Sequence, residues 1–229
     1  MTYKGGKAGA GVYQQIINQI PPHEVYIEPF FGGGAVFLHK KLAAASIALD
    51  VDAHVIAKVS AWVVPGLTAL NVDAISYLQK MRYKRSTFVY CDPPYLMETR
   101  SSKRAIYKHE FATVEQHTEL LKVLLSLPCM VAISGYWSSL YMDMLHDWRS
   151  ISFNSVTRSG KVAREFLWMN YPEPSALHDY SFLGDNFRER EKITRQKRRW
   201  RARLLRMSAL QRYALLSSIA ELGDARASS

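Results

Sequence analysis

In the stretch Val89-Tyr90-Cys91-Asp92-Pro93-Pro94-Tyr95, a carboxylate, two prolines and an aromatic ring follow an apolar run. The prolines fix φ and remove two backbone donors, which makes a stiff turn whose carbonyls remain free acceptors. Pro93 also pushes Asp92 toward an extended conformation. The turn therefore holds an anionic acceptor, a carbonyl acceptor and an aromatic face in fixed relation. A planar ring with an exocyclic amino group needs that set. Its two N–H donors pair with Asp92 and the Pro93 carbonyl while Tyr95 stacks on the ring. A bland surface turn containing Pro-Pro is a poor alternative, because such a turn rarely follows a buried strand.

A second chemical stretch is Tyr26-Ile27-Glu28-Pro29-Phe30-Phe31-Gly32-Gly33-Gly34-Ala35-Val36-Phe37. Glycines between a strand and a helix let the backbone turn tightly and approach a ligand closely. The stretch lacks the Gly-Lys-Ser/Thr ending of a phosphate loop, which argues against a nucleoside triphosphate enzyme. About one βα unit later, Leu49-Asp50-Val51-Asp52 sets an acid at the end of a second strand, the usual partner of ribose hydroxyls. Either aspartate could instead cap the following helix. Taken together, the two stretches favour a nucleoside cofactor.

The elements that must position these residues follow from the alternation of β-rich runs with helical patterns, which predicts βαβ units and a largely parallel sheet. Strand runs occur at Val25–Ile27, Ser46–Leu49, Leu67–Leu70, Thr87–Tyr90 and Met130–Ile133. Helical patterns fall at about 9–19, 34–44, 53–63, 73–82, 113–126 and 137–146, with Thr113 and Gln116 forming a capping box for the fifth. Ile151–Phe153 and Phe166–Met169 flank Ser159-Gly160 and read as an antiparallel hairpin closing one edge. The expected fold is α/β, Rossmann-like, with a mostly parallel seven-stranded sheet, a terminal antiparallel hairpin and a basic helical C-terminal extension. A composition change after Pro172 and Pro174 puts the boundary at 1–182 and 183–229. The extension reads as two helices, the first capped by Asn186 and Glu189, the second by Ser208 and Gln211 and ending at Gly223.

The chain of 229 residues is 48% hydrophobic and carries a net charge of +10. That composition suits a globular α/β domain with an appendage and excludes whole-chain disorder. Residues 188–206 hold ten basic and two acidic side chains, so this short arm carries +8 of the total. Such an arm is either a footprint for a polyanion or a solvated helix face. Two cysteines, Cys91 and Cys129, in apolar runs give neither a disulfide framework nor a metal cluster. With no apolar run of about 18 residues and no signal-peptide core, the expectation is a soluble cytoplasmic protein with no membrane partner.

Glu28-Pro29-Phe30 through Gly34, with Asp92-Pro93-Pro94-Tyr95 downstream, resembles the D12-class, Dam-like DNA N6-adenine methyltransferases over roughly residues 1–171. Tyr3-Lys4-Gly5-Gly6-Lys7 is similar to that family's opening motif, and Ala48–Asp52 to its second, although Leu49 stands where the family has asparagine. Tyr95–Arg100 and Ser134-Gly135-Tyr136 look closest to phage and prophage members, where restriction-modification is one setting. The resemblance implies S-adenosylmethionine as cofactor, held by Tyr3, Lys7, Glu28, Pro29, Phe30, Gly32, Gly34, Asp50 and Asp92. It implies Asp92, Pro93, Pro94 and Tyr95 as the catalytic set, no metal, and double-stranded DNA as partner. The rivals are an RNA or N4-cytosine methyltransferase using the same turn, and a binding protein that has lost catalysis.

DNA contacts are expected from the basic loop after the turn, Arg100, Lys103, Arg104 and Lys108 beside Tyr107, and from Arg158, Lys161 and Arg164 around Ser159-Gly160. Further contacts are expected from the arm at Lys197, Arg198, Arg199 and Arg201; its helices could instead make a homodimer or partner contact. Asp73 reads as a helix cap before it reads as a cofactor contact. Only 41 residues separate Asp50 from Asp92, and the predicted elements use nearly all of them, so a separate recognition domain will not fit there.

Overall fold

The computed structural model describes Lys7 and residues 11–100, 109–156 and 162–227. It divides into two compact units, Met1–Phe182 and Leu183–Ser229. The first is built on a seven-stranded sheet: β1 (Val25–Glu28), β2 (Ala45–Asp50), β3 (Leu67–Asn71), β4 (Thr87–Cys91), β5 (Met130–Tyr136), β6 (Arg149–Val156) and β7 (Val162–Met169). The strand order is β3-β2-β1-β4-β5-β7-β6. All pairings are parallel except β5 with β7 and β6 with β7. Chain order reverses between β1 and β4, and ligands of open α/β sheets bind outside the carboxyl ends of strands at such a switch point. Glu28 ends β1, and Asp92 directly follows β4.

The sheet is covered on both faces, which is why its central strands are buried along their length rather than on alternate residues. All five residues of β4 are buried. Phe88 and Tyr90 join one core cluster with Tyr26, while Val89 and Cys91 join the other with Ile27, as the two-residue period of a strand requires. The first cluster packs under α1 (Val12–Ile17), α2 (Ala35–His39) and α3 (Ala53–Ser60). The second packs under α4 (Ala74–Lys80), α5 (Val114–Ser126) and α6 (Ser139–Met144). In α5, Leu120, Leu121 and Leu124 supply the apolar stripe, and the Thr113–Gln116 capping box closes its start.

Helix α2 is shorter than the 34–44 pattern suggests. Lys40 is extended, with φ −82° and ψ 158°, and the next backbone N–H, that of Lys41, donates to Asp179 Oδ2 at 2.7 Å. A long-range carboxylate thus takes a donor that the helix would have used. The hairpin strands β6 and β7 are longer than expected, and Ser159-Gly160 lies outside the described residues.

The second unit consists of α7 (Phe187–Leu205) and α8 (Ala209–Ala227). Asn186 caps α7 by accepting from Glu189 N at 3.0 Å. Gly223 does not end α8. The helix runs through it to Ala227, an interior glycine costing about 1 kcal/mol relative to alanine, too little to stop an otherwise helical segment.

Candidate active site

The glycine turn is held by its neighbours in the sheet. Phe31 N donates to Leu49 O at 2.9 Å, and Gly32 N donates to Asp50 Oδ2 at 2.9 Å. Gly32 and Gly34 have φ of 51° and 60°, the left-handed region that disfavours any side chain. A Cβ on Gly34 would also stand 2.4 Å from the Phe31 ring, which would have to move aside.

The two acids at the end of β2 divide the roles that the sequence left open. Asp52 caps α3, accepting from His54 N at 3.0 Å. Asp50 Oδ1 accepts from Asp52 N at 2.9 Å while Oδ2 holds Gly32, so Asp50 braces the glycine turn against β2. Burial pushes its carboxyl above the usual range, and the two backbone donors oppose that. Asp73 caps α4 through Ser76 N at 2.8 Å. Asp50→Ala removes a charged brace worth about 1.5–3 kcal/mol. Cofactor affinity, read by calorimetry, is expected to fall roughly 10- to 100-fold; an unchanged affinity would show that the brace does not shape the cofactor site and would leave the expected ribose contact to Asp52.

At the turn after β4, Asp92 Oδ1 accepts from Lys7 Nζ and from Ser134 Oγ, both at 2.8 Å. Tyr90 backs Ser134 through its hydroxyl at 3.1 Å. Lys7 also pairs with Glu165 Oε2 at 3.0 Å and donates to the Tyr95 hydroxyl, which itself donates to Glu165 Oε2 at 2.8 Å. The Lys7 side chain is only 4% exposed. Burial works against its charge, yet the carboxylates of Asp92 and Glu165 hold its pKa above the ordinary lysine range. For Asp92, burial raises the carboxyl and Lys7 pulls it back. The Tyr95 ring meets Tyr136 edge-on, with centroids 4.5 Å apart.

His117 holds the same turn from beneath. Its Nε2 lies 3.1 Å from the carbonyls of Pro94 and Phe111, and its Nδ1 lies 2.8 Å from the Tyr141 hydroxyl. The Nε2–H tautomer satisfies all three. Burial pushes its pKa down to about 4, so the ring is neutral at pH 7. Among the described residues, no hydrogen bond goes to the Pro93 carbonyl.

These groups surround one cavity of about 310 Å³. Lys7, Glu28, Pro29, Phe30, Gly32, Gly34, Asp50 and Asp92–Tyr95 all line it, so the structure brings together every described residue expected for cofactor or catalysis. Tyr3, Lys103, Arg104, Lys108, Arg158 and Lys161 lie outside the described residues. Arg100 requires a correction as a DNA contact. It is 9% exposed, with Nε donating to Tyr95 O at 2.6 Å and Nη1 to Glu110 at 2.8 Å. Its guanidinium braces the turn instead of facing solvent. Lys197, Arg198, Arg199 and Arg201 lie on α7, exposed, in the second unit.

Sequence reasoning assigned no site role to Ser134, Glu165 or His117. The last two carried a signal. Glu165 is in phase with buried Leu167 and Met169 on β7, and His117 with Leu120, Leu121 and Leu124 on α5, so each is a polar residue on an apolar face.

Glu28 is 3% exposed and accepts from the Tyr26 hydroxyl at 2.7 Å. Burial pushes its carboxyl up to about 8, with Tyr26 and Lys40 opposing. The unfolded chain sheds this proton above about 4.5 while the folded protein holds it to about 8, so stability falls as pH rises between those values. Glu28→Gln removes that loss and is expected to stabilise the protein by roughly 2–3 kcal/mol at pH 7 and little at pH 4.5. Urea unfolding at the two pH values measures it; equal gains at both would refute the buried proton.

The sheet order with its antiparallel seventh strand, and the glycine turn opening on the switch point, define a Rossmann-like S-adenosylmethionine-dependent methyltransferase fold. Within that class, the chain belongs to the D12 class N6 adenine-specific DNA methyltransferase family, whose sequence profile matches residues 3–75 and 67–152. Among solved structures it is similar to the 23S rRNA methyltransferase ErmE, at 11% identity and TM-score 0.48 over 80% of this chain and 82% of that one. It is also similar to an rRNA methylase from Streptococcus thermophilus, at 12% identity and TM-score 0.44 over 69% and 92%. A dimethyladenosine transferase from Plasmodium falciparum matches at 14% identity and TM-score 0.45 over 74% and 62%. No curated protein matches the chain. The protein is a methyltransferase, and its methyl donor is S-adenosylmethionine. The cavity fits that donor: Asp50, Asp52, Asp73, Asp92 and Glu110 line it against Lys7, a wall suited to a cationic nucleoside, and Glu28 adds a neutral carboxyl at pH 7. Among the described residues, no helix is long and apolar enough to cross a membrane.

Proposed function

We propose that this protein methylates the N6 amine of adenine in DNA, with residues 1–182 as the catalytic domain. The observation that carries the reading is the state of the two acceptors at the turn after β4. Asp92 Oδ1 is taken by Lys7 and Ser134, which aims the carboxylate and leaves Oδ2 for an incoming donor. The Pro93 carbonyl lies at the same cavity, its acceptor capacity unused among the described residues. An exocyclic amine offers two N–H groups to match. S-adenosylmethionine, when bound, supplies an electrophilic methyl on a sulfonium.

The residues do the rest by position. Glu28, Asp50, Asp52 and the Gly32–Gly34 turn hold the donor; Asp92 and the Pro93 carbonyl accept both amine protons and localise the nitrogen lone pair, which otherwise delocalises into the base. Fixing nucleophile and electrophile in line supplies most of the acceleration. The Asp92 carboxylate stabilises the positive charge that develops on nitrogen and receives the proton the amine sheds. Tyr95 presents its ring to the base. The basic face of α7 supplies phosphate contacts.

Transfer of labelled methyl to DNA and to RNA, followed by nucleoside analysis, tests the reading. N6-methyladenine in DNA is the expected product. Label found only in RNA, or as N4-methylcytosine, would overturn it.

A further inference from the structure

Glu165 is a buried acid that takes no direct part in the proposed transfer. It sits on β7, opposite Tyr136 of β5 and Phe153 of β6, and is 6% exposed. Its Oε2 accepts from both the Lys7 ammonium and the Tyr95 hydroxyl. A carboxylate buried this far persists only when paired, and Lys7 holds it ionised against the effect of burial. The pairing also serves the turn. Lys7 bridges Glu165 and Asp92, and Tyr95 ends the segment that Asp92 begins, so one carboxylate grips both ends of the turn.

We infer that Glu165 is a positioning residue for methyl transfer, acting on Asp92 through Lys7 and on the aromatic ring through the Tyr95 hydroxyl. The inference rests on the proposed role of Asp92 and extends it. Two consequences separate it from mere packing. With Glu165 charged, the cluster of Lys7, Asp92 and Glu165 carries one net negative charge beside a centre that becomes positive; without it the cluster is neutral. With Glu165 gone, Lys7 has only Asp92 for a counter-ion and only Ser134 still fixes the carboxylate, so the aim of Oδ2 loosens while the glycine turn and its Asp50 brace are untouched. The antiparallel strand makes this possible, because β7 brings its residues to the edge where β4 ends.

Glu165→Gln keeps the shape and an acceptor oxygen and removes the charge. In the full chain, kcat at saturating donor and DNA is expected to fall at least tenfold, with the dissociation constants of both changing less than twofold. Tyr95→Phe keeps the ring and removes the hydroxyl. If the two act as one unit, the double variant falls no more than about twofold below the slower single one, where independent effects would multiply. Acetylation of Lys7 by acetic anhydride, mapped by mass spectrometry, gives a readout that does not need turnover: slow in the parent, several-fold faster in Glu165→Gln. Wild-type kcat in Glu165→Gln, multiplicative single effects, or unchanged Lys7 labelling would each overturn the inference. A parent protein inert on DNA would instead refute the proposed function, and the Lys7 labelling would still decide whether Glu165 holds the lysine.

Discussion

Asp92→Ala is expected to reduce methyl transfer by at least about a hundredfold while S-adenosylmethionine binding changes less than about fivefold. The loss follows from the role proposed for the carboxylate, which is to accept an amine N–H, stabilise the developing positive charge and take the proton released; positioned acid–base and electrostatic groups contribute roughly 10²–10⁴-fold. Cofactor affinity survives because Glu28, Asp50 and the glycine turn remain. Asp92→Asn sharpens the test. Lys7 and Ser134 both donate to Oδ1, so they fix the amide with its oxygen toward themselves. The amide nitrogen then faces the target amine, donor against donor. Asn is therefore expected to be as defective as Ala, although it is nearly isosteric with Asp. Single-turnover rates and calorimetry on both variants measure this; an Asn variant with substantial turnover would show that Asp92 is not aimed as the structure indicates.

How much of the site is legible in the sequence depends on the range of each interaction. The β4 turn and the glycine turn are local motifs, and their residues meet because both follow strands that pair at the switch point. Asp50 and Asp52 are readable as acids at the right strand end, but which one braces and which one caps is decided by backbone donors that only the folded turn supplies. Glu165 and His117 reach the site across 70 and 23 residues of sequence, to Tyr95 and Pro94 respectively, and no spacing rule connects them. Arg100 shows the opposite error. A basic residue just past the catalytic turn reads as a phosphate contact, yet Glu110 and the Tyr95 carbonyl, ten and five residues away, capture its guanidinium. Composition marks a charge but cannot say whether a neighbour has neutralised it.

The second large effect concerns how DNA would be held under the proposed function. Between Asp50 and Asp92 lie only α3, β3, α4 and β4, so no separate recognition domain interrupts that stretch. Few elements are then left to read base edges, and each bidentate base contact supplies only about 1–3 kcal/mol of discrimination. Affinity must come from elsewhere, and α7 has the charge for it. Its nineteen residues carry basic side chains at 188, 192, 195, 199, 203 and 206 with the cap, spacings of three and four that form one stripe along the helix. Such a helix is about 28 Å long, enough to follow several phosphates. Exchanging Arg188, Lys192, Arg199 and Arg203, four members of that stripe, for Gln in the full chain removes four charges without shortening it. Every phosphate that is no longer neutralised lowers the slope of log affinity against log salt by about 0.9, so removing all four charges lowers it by roughly 3–4 and weakens binding by roughly 10²–10³-fold near 0.1 M salt. Methylated positions on mixed DNA should meanwhile show a very short or loose target, in the parent and the variant alike, because phosphate contacts carry no sequence information. Titration of DNA at several salt concentrations and sequencing of methylated sites measure the two halves. An unchanged salt slope would make α7 a docking helix for a partner or a second copy, and a strict target of six base pairs would mean that base reading is far more extensive than the short β2–β4 connection allows.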